Sequence, residues 1–196
     1  RYNQTIKGDM LLIGNNILSV DKTADYNNTT NQNNDLNNMV NVDVDSDAST
    51  FNSSSADLAV PSTSGCYKIK YAGLYWGAVI KGSSDSNTKV KFKVPGGSYI
   101  DITGTSIYYQ NSTSNSKSNT YATYADVTSY VTALANPQGT YTVANVSSLT
   151  GKFPNVEGLS AGWSLFIVYE DPTLPSKYIT SFDGYSIISS TNNQDV

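Results

Sequence analysis

The sequence predicts an all-β protein: an antiparallel β-sandwich or jelly-roll-like domain with one short helix. Three observations carry this expectation. Polar and apolar residues alternate with period two in one short segment after another, the spacing that lays one face of a strand on a core. Turn signals rich in Gly, Pro and Asn separate these segments at short intervals, as in sandwiches. A single window has helical periodicity instead. With 196 residues there is chain enough for one domain with a real core, since about 150 residues already bury roughly two-thirds of the surface their unfolded form exposes. Residues 1–196 are read as one such domain. It is expected to continue past the C-terminal end, because the tail Thr191-Asn192-Asn193-Gln194-Asp195 has no terminating character.

The elements follow in order. Met10-Leu11-Leu12-Ile13 is a short apolar strand closed by Gly14-Asn15-Asn16, and Ile17-Leu18-Ser19-Val20 is a second. Residues 25–38 are nearly all Asn, Thr and Asp, which reads as a long solvated loop. Met39-Val40-Asn41-Val42-Asp43-Val44-Asp45 alternates as a half-buried strand, and Ala56-Asp57-Leu58-Ala59-Val60 alternates until Pro61 stops it. Residues 67–80 begin with alternation of Tyr67, Ile69 and Tyr71 against lysines. They then become apolar on both faces through Leu74, Tyr75 and Trp76, as a central strand does, with Gly73 and Gly77 as points of close backbone approach. Val90-Lys91-Phe92-Lys93-Val94, Tyr99-Ile100-Asp101-Ile102 and Ile107-Tyr108-Tyr109 are further strands, followed by a Ser/Asn-rich loop over 111–119.

The helix is predicted over 124–135. Val127, Tyr130, Val131 and Leu134 share one face there, Asp126 is the cap, and Asn136-Pro137 the stop. About a dozen residues make a marginal helix in isolation, so it must lean on a sheet. Strands resume at Tyr141-Thr142-Val143-Ala144 and from Trp163 to Glu170, and the last pair lies at 178–180 and 185–188. The expected core includes Leu74, Trp76, Phe92, Val131, Trp163, Phe166 and Val168.

Composition argues about function by subtraction. There is no His, which removes Ser-His-Asp, Cys-His and imidazole-metal chemistry from this chain. The only arginine is Arg1, and the only glutamates are Glu157 and Glu170. Bidentate guanidinium clamps and a glutamate-based glycosidase pair are thereby disfavoured, and the chain is read as non-enzymatic. A net charge of −4 with no basic stripe argues against nucleic acid as a partner. Charged residues make up 14% of the chain, against about 25% in ordinary domains. Asn, Ser, Thr and Tyr fill the difference, a composition associated with secreted bacterial surface proteins. No apolar run approaches the roughly 18 residues a membrane-spanning helix needs. A start at Arg1 rather than Met fits a mature form after signal removal. Cys66, the one cysteine, is read as a small buried apolar residue or as half of a bond to a cysteine outside this chain.

Two constellations suggest binding. Asp43, Asp45 and Asp47 alternate, and three carboxylates that converge on a bend suit Ca²⁺, which takes six to eight oxygens. Ala48 and Ser54 stand where an EF-hand loop needs Gly and Glu, so that motif is absent. On a straight strand the three would instead share a solvated face. The second constellation is tyrosine, 15 in all. Tyr67, Tyr71, Tyr75, Tyr108, Tyr109, Tyr121 and Tyr124 either line a shallow sugar or protein site or cover a sandwich rim. Asn-X-Ser/Thr triplets at Asn3, Asn27, Asn28, Asn52, Asn111 and Asn145 are expected by chance in so Asn-rich a chain.

Several motifs in order resemble a known family. They are Gly8-Asp9-Met10-Leu11-Leu12-Ile13-Gly14-Asn15, Asn52-Ser53-Ser54-Ser55-Ala56-Asp57-Leu58, Tyr71-Ala72-Gly73-Leu74-Tyr75-Trp76-Gly77-Ala78, Tyr124-Ala125-Asp126-Val127-Thr128, Gly162-Trp163-Ser164-Leu165, Tyr169-Glu170-Asp171-Pro172 and Phe182-Asp183-Gly184. Together they resemble an N-terminal domain of very large Bacteroidota surface proteins, including gliding-motility adhesins of the SprB type exported by the type IX secretion system. The resemblance runs over nearly the whole chain and brings no catalytic residues. It implies an adhesin module at the bacterial cell surface. Its partners would be an external surface or polysaccharide, the rest of a larger surface protein, and the secretion or outer-membrane machinery. A carbohydrate-binding module and a structural piece of a surface filament are the alternatives.

Overall fold

The computed structural model describes residues 1–20, 37–62, 65–80, 85–109, 119–152 and 158–186. Most of the Asn-rich loop, nearly all of 111–119, Glu157, Ile187, Ile188, the C-terminal tail and the triplets at Asn27, Asn28 and Asn111 lie outside them.

The described chain forms twelve strands: β1 (Asn3–Asn16), β2 (Leu18–Ser19), β3 (Val40–Asn41), β4 (Ser53–Leu58), β5 (Lys68–Ile80), β6 (Lys89–Lys93), β7 (Ile100–Thr103), β8 (Thr105–Tyr109), β9 (Asn119–Asp126), β10 (Gly139–Ala144), β11 (Ala161–Glu170) and β12 (Ser176–Thr180). One helix, α1 (Thr128–Thr132), joins β9 to β10. A six-stranded sheet has the order β12-β1-β11-β5-β9-β8, and a four-stranded sheet the order β4-β10-β6-β7; β2 and β3 make a small ribbon. All these strand pairs are antiparallel. The expected all-β sandwich is what the chain builds. No helix among the described residues is long and apolar enough to cross a membrane.

Register explains the core. Leu74 pairs with Leu165 and Trp76 with Trp163, so both pairs share the inner face of the large sheet. They meet Val90, Phe92, Tyr141 and Val143 of the small sheet in one cluster. The Phe92 and Tyr141 rings stack 5.9 Å apart. Each buried indole satisfies its N–H: Trp76 Nε1 donates to the Asn87 carbonyl at 2.9 Å, and Trp163 Nε1 to Ser54 Oγ at 2.8 Å. Six of the seven expected core residues are buried.

On the other face of the sheet, with the buried Val168, lies the exception, Phe166, which is only half-buried and 6.2 Å from the Tyr71 ring. It neighbours Leu165 and Ile167 in an extended strand, and successive side chains point to opposite faces.

Five further expectations are corrected. The helix is five residues rather than about twelve, because 124–126 continue β9. Tyr124, Ala125 and Asp126 pair there with Tyr75, Leu74 and Gly73. The ladder to β5 takes the backbone groups that a longer helix would have used. Of the four residues on the expected helical face, Val127 and Val131 are buried, Leu134 is half-buried and Tyr130 is exposed. Residues 39–45 do not make one straight strand. Val42 donates to the Ile17 carbonyl at 2.8 Å and accepts from Ser53 N–H at 2.9 Å, so the chain is shared between two partners and then turns at Ser46, whose φ is 53°. Residues 10–13 are part of a strand of 14 residues, with Met10 and Leu12 exposed. Tyr185 and Ser186 are not in a strand, and Cys66 is exposed rather than buried.

Candidate functional site

The outer face of the six-stranded sheet carries the side chains that alternate away from the core. Leu74, Trp76 and Ala78 point inward on β5, so Tyr71, Gly73, Tyr75 and Gly77 face out. Pairing sets their neighbours. Ser164, Tyr75 and Tyr124 form one row across β11, β5 and β9, and Gly162, Gly77 and Ala122 form the next.

The first row and its surroundings are aromatic. Tyr75 and Tyr124 are tilted with centroids 5.1 Å apart, and Tyr2 lies 5.5 Å from Tyr71. The Tyr71 and Tyr124 hydroxyls meet at 2.8 Å. Gly73 makes that meeting possible, because a Cβ there would sit 2.8 Å from the Tyr71 hydroxyl and 3.2 Å from the Tyr124 ring. The Arg1 guanidinium covers the Tyr124 ring at 4.3 Å, and its Nε donates to Asp183 at 2.8 Å. Burial, above all, holds the Tyr71, Tyr75 and Tyr124 phenols above the ordinary tyrosine range. They therefore stay neutral.

The second row is small, and a groove opens over it. Its volume is about 570 Å³, and it crosses from Asn16 on β1 to Ile107 on β8. Gly162, Gly77 and Ala122 lie along its floor. Tyr75 and Tyr185 line it, with Ser164 and Thr120 as hydroxyl groups. Tyr185 is braced by Tyr108, whose ring stacks on it at 4.4 Å and 6°. Among the described residues, none that lines it is Asp, Glu, Lys, Arg or Cys. The described lining offers ring faces, hydroxyls and the Asn15 and Asn16 amides.

The structure thus gathers Tyr71, Tyr75 and Tyr124 on one face and places Tyr108 nearby. It separates the other tyrosines that the sequence singled out. Tyr121 is in the core, donating to the Ser147 carbonyl at 2.8 Å. Tyr67 packs against Tyr169 at 6.3 Å. Gly77, Ala122, Ser164 and Tyr185 escaped sequence reasoning, since small residues signal a groove only once three strands are laid side by side.

The three aspartates bound a turn. Asp43 Oδ1 accepts from Ser53 Oγ at 2.9 Å. Asp45 Oδ1 accepts from Asp47 N–H at 3.1 Å and Thr50 Oγ1 at 3.3 Å, while its Oδ2 accepts from Tyr99. Asp47 Oδ1 accepts from Ser49 N–H at 2.8 Å. Burial pushes the Asp45 carboxyl up, but hydrogen bonds from Tyr99, Asp47 N–H and Ser53 outweigh it and hold the group below the ordinary carboxylate range. Among the described residues, no three His, Cys, Asp or Glu side chains are grouped as a metal ion would need.

A scan against models of known protein families gives no match, and searches of curated proteins and of solved structures give none either.

Proposed function

We propose that this domain is a non-catalytic adhesin module of the bacterial cell surface that attaches to polysaccharide. The observation that supports this best is the groove of about 570 Å³ on the outer sheet face, lined by Tyr75 and Tyr185 and, among the described residues, by no acid or base. A tyrosine ring gives the apolar face of a sugar something to stack on while its hydroxyl stays wet. Single contacts of this kind are weak, and many copies on a surface make them effective through avidity. The motif resemblance points the same way. On that resemblance we assign the domain to a larger surface protein of the gliding-motility type, exported by the type IX secretion and outer-membrane machinery.

Attachment is the test. Beads carrying the domain are expected to adhere to polysaccharide-coated glass, and beads carrying a Tyr75→Ala, Tyr185→Ala variant that melts like the parent are expected to wash off. Equal retention of both would dismiss the groove as the adhesive surface. Turnover of a glycoside or peptide by the purified domain would dismiss the non-catalytic reading.

A further inference from the structure

We infer that the groove selects a neutral glycan chain over acidic polysaccharides, an inference that rests on the polysaccharide reading above. Charge is the first argument. None of the described lining residues is acidic or basic: Tyr75 and Tyr185 supply the rings, and Asn16, Ser164 and Thr120 supply polar groups. Recognition of a uronate or sulfate needs a charge-assisted donor, and the described lining supplies none. Arg1, the cation on the aromatic face, already spends its Nε on Asp183 and its guanidinium face on the Tyr124 ring. The net charge of −4 adds a repulsive field at long range. A neutral sugar loses nothing on both counts.

Shape is the second argument. The lining residues come from β1, β11, β5, β9 and β8, so the groove runs across strands rather than along one. Adjacent strands lie about 4.8 Å apart, which makes the trough about 19 Å long. That length suits several linked sugar rings, not one monosaccharide. The Gly162–Gly77–Ala122 row puts no side chain larger than a methyl group on the floor, which leaves room for sugar rings beside Tyr75.

The experiment uses the full 196-residue chain in affinity electrophoresis and calorimetry. The neutral probes are dextran, mannan and oligomers from cellulose and starch; the acidic probes are alginate and heparin. Binding to at least one neutral probe is expected, unchanged between low and high salt, with none to the acidic probes. Tyr75→Ala is expected to weaken it at least about tenfold, the factor that corresponds to about 1.4 kcal/mol for a lost ring contact. Tyr75→Phe should retain it. Ala122→Gln, which raises the floor, should abolish it at an unchanged melting temperature. Salt-sensitive binding to alginate or heparin alone would overturn the inference and leave the adhesin reading standing. Neutral binding that survives both Tyr75→Ala and Ala122→Gln would place the site elsewhere and overturn it as well. Failure with every probe, neutral and acidic, would overturn the inference and the polysaccharide reading together.

Discussion

Asn52 does the work of a strand where a strand has ended. The β4–β10 ladder stops at Ser53 and Ala144. One step further, Asn145 turns with φ at 61°, and Val146 is left without a main-chain partner on that side. Asn52 supplies one: its Oδ1 accepts from Val146 N–H at 3.0 Å and its Nδ2 donates to the Val146 carbonyl at 2.9 Å. Its own carbonyl accepts from Asn145 N–H at 3.1 Å. Asn52 and Val146 are both 0% exposed, so water cannot replace either bond. Asn52→Ala strands two buried polar groups, each costing about 1–3 kcal/mol, for a total of about 4 kcal/mol. Total stability is typically about 5–15 kcal/mol, so this is a large share. At about 2–4 °C per kcal/mol for a chain of this size, the melting temperature should fall by on the order of 10 °C. Asn52→Asp should be at least as damaging, since it sets a carboxylate oxygen against the Val146 carbonyl and buries a charge. Thermal melts followed by circular dichroism, with urea melts as a second measure, decide it. A drop under about 3 °C for both variants would refute the reasoning, because Val146 would then have another partner. The same burial means that the Asn52-Ser53-Ser54 triplet is closed to a glycosylating enzyme in the folded chain.

Two predictions concern titration and ions. Burial raises the phenols of Tyr71, Tyr99, Tyr121 and Tyr141 above the ordinary range, so above pH ~10, where unfolded tyrosines ionise, the folded state binds more protons than the unfolded. Stability contributed by these groups is complete below that pH and is lost as the pH climbs towards the folded values; melts from pH 8 to 12 should be level to about pH 10 and then fall, and a level profile to pH 12 would count against the burial assignments. Calcium is expected to leave the melting temperature unchanged, because Asp43, Asp45 and Asp47 already accept hydrogen bonds within their own turn and from Tyr99. A rise with added Ca²⁺ that a chelator reverses would show that the turn exchanges those bonds for the ion, as mass action requires of a ligand bound to the folded state.

Strand identity was legible in the sequence because it is local. The alternation at 67–71 and 90–94 and the doubly apolar run around Leu74 are properties of neighbours in the chain, and they locate β5, β6 and the core without reference to anything distant. The same holds for the bareness of the chemistry, since a chain without His cannot acquire one by folding. What the sequence misjudged lay where two local patterns competed. Residues 124–135 suit a helix, yet 124–126 sit in β9, because pairing Ala125 with Leu74 satisfies backbone groups across the sheet. Val42 and Val44 alternate alike, but only Val42 finds partners on both sides, in Ile17 and Ser53. The candidate site belongs wholly to the tertiary structure. Tyr75, Tyr124 and Ser164 are far apart in the chain and become one row only through the β5–β9 and β5–β11 registers. A register shift of one residue would send every one of them to the opposite face. Alternation determines that a strand has two faces, while pairing between distant strands decides which side chains stand together on them.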